Sequence, residues 1–224
     1  MVHQSFSIRQ TLKYGFKKIY DHLGFLFGLL LIQVAISVGI ALLYNVVAVM
    51  LTPYIEQAGI SFYENIFQVP LTVSLPLILL RLLTIACEML FFVTTIRIFL
   101  DIHDSGSSSY NEFFHIKKFI IPYIVASIFF GIFGAIGLVA LIVPGLIVIT
   151  MLNFYDIIIV DQGCGGIEAL KISQKMTQGL RLKLFLFIAI CAILSGITFG
   201  LLYPVVLMAR IDLYKKLKAA HSWL

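Results

Sequence analysis

The chain has 224 residues, of which 61% are hydrophobic and 12% charged, and its formal net charge is +5. Soluble domains carry about a quarter of their residues as Asp, Glu, Lys and Arg, and the mean hydropathy here is +1.04. That excludes a soluble globular domain and indicates an all-α, polytopic transmembrane helical bundle.

In chain order, residues 1–22 read as an interfacial amphipathic helix. Ile8, Leu12, Phe16, Ile19 and Leu23 recur on one helical face, and Arg9, Lys13 and Lys17 form a second stripe. Ser5 or Ser7 is placed to cap the start. Such a helix either lies on an anionic leaflet or packs on the ends of its own bundle.

The first apolar run, 23–51, is too long for a signal-peptide core and lacks a small-residue cleavage site, so it is expected to remain as a helix. The second, 71–100, also exceeds the roughly 20 residues that a crossing needs, and both are expected to tilt. The third, Phe119 to Val160, has 42 residues. It holds two crossings, 119–143 and 146–160, if the chain turns at Pro144 and Gly145, where proline restricts its predecessor and glycine permits a tight turn.

A second amphipathic helix is expected over 166–181, with Ala169, Ile172, Met176 and Leu180 as its apolar stripe. Glu168 lies in its first turn, where the helix dipole favours an anion. The last apolar run, Leu184 to Ala209, has 26 residues and is weakened by Ser195, Gly196, Gly200 and Pro204. It reads as one helix or as two short segments, 184–195 and 200–212, forming a re-entrant hairpin. The hairpin gives about six membrane segments in a single membrane domain spanning residues 1–224.

Basic residues set the orientation. Arg9, Lys13, Lys17 and Lys18 precede the first run, whereas residues 52–70 hold no Lys or Arg and carry Glu56 and Glu64. Arg97, Lys117 and Lys118 flank the next loop, and Lys171, Lys175, Arg181 and Lys183 the one after it. This places the N-terminus in the cytoplasm, in a cytoplasmic (inner) membrane. The hairpin reading returns Arg210, Lys215, Lys216 and Lys218 to the same side. The positive charge then points to anionic lipid headgroups at the inner face and not to nucleic acid.

Several segments together resemble a known family. They are Ile142-Val143-Pro144-Gly145-Leu146, Phe154-Tyr155, Ile159-Val160-Asp161 with Gly163, Glu168-Ala169-Leu170-Lys171-Ile172-Ser173, and Thr177-Gln178-Gly179. Thr11 to Phe16, Tyr203-Pro204 and Leu213-Tyr214 add to the likeness. The chain resembles bacterial integral membrane proteins of unknown function related to the membrane domain of glycerophosphodiester phosphodiesterases. Its last apolar stretch is shorter than that family's final pair of helices. The resemblance implies fold and location and brings no catalytic residues.

Arg81 and Glu88 stand inside the second apolar run, seven residues apart and on one helical face. Ionisable groups at such positions usually face a bundle interior or a wet cavity. They are read as a ligand-binding pair for a headgroup, ion or proton. The structural alternative has Arg81 bonding Asn45 or Asn153, and Glu88 bonding Arg97 or a hydroxyl. Asp156 and Asp161 flank the inner end of the fourth segment and are expected to be structural or interfacial, as are Pro144 and Gly145. Asp161 is placed to cap the next helix or to meet Lys171 or Arg181, and Asp212 is expected to pair with Arg210.

Asp101, His103, Asp104, Glu112 and His115 are metal-capable, but their spacing fits no ligand pattern, so no metal is expected. Cys87, Cys164 and Cys191 are isolated and suggest no disulfide framework. Hydrolase and phosphate-loop motifs are missing, so neither an enzyme nor a cofactor is expected. Breaks occur at Pro76, Pro144 and Pro204 without the inverted repeat usual in secondary transporters. Small residues four apart (Gly24 and Gly28; Ser127, Gly131 and Ala135; Gly196 and Gly200) allow close helix approach within one chain or between copies. The functional expectation is a multi-pass protein that binds or moves a lipid or small amphiphile. The alternative is a structural or accessory subunit of a membrane complex.

Overall fold

The computed structural model describes residues 7–57, 71–106, 116–140, 142–198 and 200–220. Every regular element among them is helical: α1 (Ile8–Asp21), α2 (Leu23–Gln57), α3 (Leu71–Ser105), α4 (Lys117–Ala140), α5 (Ile142–Met151), α6 (Tyr155–Gln162), α7 (Gly166–Met176), α8 (Arg181–Ile197) and α9 (Tyr203–Ala220).

Four stretches are long and apolar enough to cross a membrane: Leu23–Leu51, Ile78–Ser105, Lys117–Gly137 and Gly145–Gln162. A fifth arises if α7 and α8, bent by 110° at the break between them, form one broken span. By length and composition this gives four or five candidates where six segments are expected, and α9 is not among them. It carries Arg210, Asp212, Lys215, Lys216 and Lys218, yet nearly every residue from Val205 to Tyr214 is buried in protein.

The chain divides into two compact units, Met1–Leu26 with Phe92–Leu224, and Phe27–Phe91. The second unit consists of most of α2 and the first part of α3. Its α2 is apolar around its whole circumference, the pattern of a helix that meets lipid on several sides. Val34, Val38, Leu42 and Val46 are exposed, as are Ile78, Leu79, Leu82 and Leu83 on α3.

The first unit holds a dense core containing Phe99, Phe154, Ile157, Ile158, Met176, Phe187 and Tyr214. Its α4 and α5 pack against one another as a hairpin. α4 ends at Ala140 and α5 starts at Ile142, so Pro144 and Gly145 do not separate the two arms but occupy the first turn of α5. Proline fits there because first-turn amides have no intrahelical acceptor to lose. The expected 146–160 arm is also interrupted, since residues 152–154 leave the helix between α5 and α6. The break expected in the last run falls between Ile197 and Tyr203, but α9 continues to Ala220, well beyond residue 212.

Two glycines let helices approach closely. α1 packs on α9, where a Cβ on Gly15 would lie 2.7 Å from the Val205 carbonyl oxygen and 3.3 Å from the Ala209 nitrogen. α7 packs on α4, where a Cβ on Gly166 would collide with the Pro122 carbonyl oxygen. These contacts set which faces are buried. In α1 the inward residues are Thr11, Gly15 and Ile19, while Phe16 points outward, correcting the expected stripe. In α7 they are Gly166, Ala169, Leu170, Ser173 and Met176. By contrast, Gly24, Gly131, Gly196 and Gly200 have open space where a Cβ would go.

Candidate functional site

Arg81 and Glu88 lie on α3 within the second unit, and both are exposed. Among the described residues of that unit neither meets a hydrogen-bond or ion-pair partner. Their suggested partners are otherwise engaged. Asn45 donates to the Ala41 carbonyl at 2.8 Å, Asn153 is held by Arg210, and Arg97 lies 3.7 Å from Asp101. The pair is therefore two opposite charges, two turns apart on a helix whose neighbouring side chains are apolar.

The first unit gathers its charges differently. Arg210 of α9 is bound to the α5–α6 segment. Its Nη2 donates to both carboxylate oxygens of Asp156, each at 3.0 Å, and to the Asn153 carbonyl. Its Nε donates to Asn153 Oδ1 at 3.2 Å. The two side chains are only 15% and 5% exposed, so each charge depends on the other. Asp156 Oδ1 also accepts from the Ile157 amide at 2.9 Å. Arg210 thus pairs with Asp156 and not with Asp212.

The same break is closed from α7. Ser173 Oγ donates to the Met151 carbonyl at 2.8 Å and accepts from the Phe154 amide at 3.3 Å. Thr177 Oγ1 lies 3.3 Å from the Met151 oxygen and 3.0 Å from the Ser173 oxygen. A helix interrupted in an apolar setting leaves backbone groups that must find other partners. Ser173, Thr177 and Arg210 supply them.

Asp161, at the end of α6, is the centre of a second network. Its Oδ1 accepts from Lys215 at 2.8 Å, and its Oδ2 from Lys218 at 2.6 Å and from the Tyr214 hydroxyl at 2.7 Å. Lys215 also reaches Asp104 at 2.7 Å. Asp161 therefore does not cap α7, whose N-cap position is Gly165 without a side-chain cap bond. Ser7 likewise sits at the α1 N-cap without a side-chain cap bond. Asp212 is bonded by Lys216 at 2.5 Å and lies 3.9 Å from His103 Nε2. His103 Nδ1 is 3.1 Å from Asp104, and its ring lies beside Tyr14 at 5.6 Å.

Burial pushes the Lys215 ammonium down, but its hydrogen bonds to Asp104 and Asp161 outweigh that and hold its pKa above the ordinary lysine value. Burial first, then the Asp161 hydrogen bond, pushes the Tyr214 phenol up. Tyr14 moves the same way, through burial and then the charges of Asp212 and Asp104.

Sequence reasoning missed Tyr214, Lys215 and Lys218 as partners of Asp161, and Ser173 and Thr177 as braces. The signal that existed was α9 itself, where positions 210, 214 and 218 recur every four residues and carry polar groups. Among the described residues no group of three or more His, Cys, Asp and Glu is arranged to hold a metal. Glu112, His115 and Glu64 lie outside the described residues, as does the side chain of Glu56. No protein-family model, curated protein or solved structure matches the chain.

Proposed function

We propose that this chain is a non-enzymatic accessory subunit of a membrane complex, inserted in a cytoplasmic membrane with its N-terminus on the cytoplasmic side. The observation that carries the reading is Glu88, a charged residue exposed on an apolar helix and without a partner among the described residues of its own unit. An isolated charge facing hydrocarbon is costly, and such residues normally pair or line a wet cavity. A partner subunit supplies the missing counterpart. Asp156 and Asp161 support a non-enzymatic reading, because cations that hold the fold together already occupy both carboxylates. The resemblance to bacterial membrane proteins related to the phosphodiesterase membrane domain is consistent with this location.

A second reading, binding or movement of a lipid or small amphiphile, is favoured by the outward side of α1. Arg9, Lys13, Phe16, Lys17 and Tyr20 are exposed there, and Tyr20 is 76% exposed. Basic and aromatic side chains on one surface suit an anionic leaflet. On this reading α1, and α7 with it, lie at the inner interface.

Intact-mass measurement of the chain extracted gently from its native membrane separates the two. A defined second protein at fixed stoichiometry supports the accessory role. A single chain carrying lipid or metabolite mass supports the amphiphile reading and ends the first.

A further inference from the structure

We infer that Arg81 and Glu88 together form the docking seam for one transmembrane helix of a different protein, which presents a basic side chain opposite Glu88. The inference rests on the accessory reading above and specifies where and by what chemistry the partner binds.

The first support is depth. A hydrocarbon core of about 30 Å takes roughly 20 helical residues. The apolar span of α3 begins at Ile78, three residues before Arg81 and ten before Glu88. Glu88 then lies about 15 Å inside, at 1.5 Å per residue. Arg81 is long enough to reach headgroups by extending along the helix, whereas the shorter Glu88 side chain is not. Glu88 needs a donor brought to it within the apolar layer.

The second support is spacing. Seven residues separate the two charges. Helices packed side by side at a small crossing angle meet every seventh residue, so both charges fall on one contact line. The same separation is about 10 Å along the axis, too far apart for one lipid headgroup to bridge.

Symmetry excludes a second copy. Copies inserted the same way are related by an axis along the membrane normal. An α3–α3 contact around that axis would set Arg81 against Arg81 and Glu88 against Glu88. The other charges within the apolar runs, Arg97 and Asp156, are already paired with Asp101 and Arg210 at the run ends and offer no complement. The occupant is therefore a different chain.

The test places a photo-crosslinking residue at Ile85, one turn from both charges and itself exposed, in the full-length chain in its native membrane. The expected product is one adduct with a protein whose crosslinked segment is an apolar helix bearing Lys or Arg. Glu88→Lys should lower its yield by about tenfold or more, as loss of a desolvated charge pair does. Reversing the partner's basic residue to Glu should restore it. Unchanged melting temperatures for the variants exclude misfolding. An adduct to lipid only, to a second tagged copy, or to a protein indifferent to Glu88→Lys overturns the inference. If a complex survives extraction but gives no protein adduct at Ile85, the docking seam is wrong and the accessory reading stands. If no complex is extracted, both fall.

Discussion

One guanidinium nitrogen of Arg210 contacts both carboxylate oxygens of Asp156 at 3.0 Å, joining residues 54 positions apart in the chain. The contact ties α9 to the segment where α5 gives way to α6, and it defines the polar core of the first unit.

Removing one partner should be far worse than removing both. Arg210→Met or Asp156→Asn leaves a poorly solvated group without its counterpart and should cost about 3–5 kcal/mol. The double variant Arg210→Met with Asp156→Leu should recover part of that loss. It should not recover all, because the Asn153 carbonyl also loses its donor. Unfolding free energies of the four proteins in one detergent, arranged as a double-mutant cycle, provide the check.

Ser173 supports the same break through both faces of its hydroxyl. Ser173→Ala would leave the Met151 carbonyl and the Phe154 amide with fewer partners, at a cost of about 1–3 kcal/mol. Thr177 still reaches Met151, which places the expected loss at the lower end of that range. A melting temperature equal to wild type would show that the break is satisfied some other way.

Glycine substitutions should separate into two classes. Gly15→Ala and Gly166→Ala drive a methyl group into the backbone of α9 and α4 and should destabilise by about 1–3 kcal/mol. Gly24→Ala and Gly131→Ala meet open space inside helices and should stabilise by about 0.5–1 kcal/mol. Thermal melts of the four variants are a direct readout. The reverse order would contradict the packing of α1 on α9 and of α7 on α4.

Lys215 gives a pH dependence with a defined sign. Its folded pKa lies above that of the unfolded chain, so its stabilising contribution is complete below about pH 10 and disappears as pH rises through the folded value. Lys215→Met should therefore lower stability throughout the neutral range, by about 1–3 kcal/mol. The difference between wild type and variant should shrink only above about pH 10. Denaturation from pH 6 to 11 measures it, and a difference that shrinks on the acid side first would refute the assignment.

Much of the helical layout was legible because apolar runs longer than 20 residues have few other structures open to them. The runs at 23–51 and 71–100 fall inside α2 and α3, and the reversal near Pro144 misplaced the observed break by only a few residues. Less legible was anything set by tertiary partners. Two of the hydrogen-bond partners of α9, Asp104 of α3 and Gln162 of α6, lie 111 and 52 residues away in the chain, and no periodicity links them. The inward face of α1 misled for a related reason. Gly15 is selected by the backbone of α9, so the small side of that helix is buried and Phe16 is left outside. Arg81 and Glu88 were conspicuous from composition alone, because a charge within an apolar run needs no partner in the chain to be noticed.

The central claim is that the polar pair on α3 joins this chain to another protein. The most direct measurement compares the stoichiometry of the gently extracted complex for wild type and for Glu88→Gln, each checked for unchanged helicity and melting temperature. The account predicts a partner bound to the wild-type chain and lost from the variant. A partner retained equally by both would contradict it.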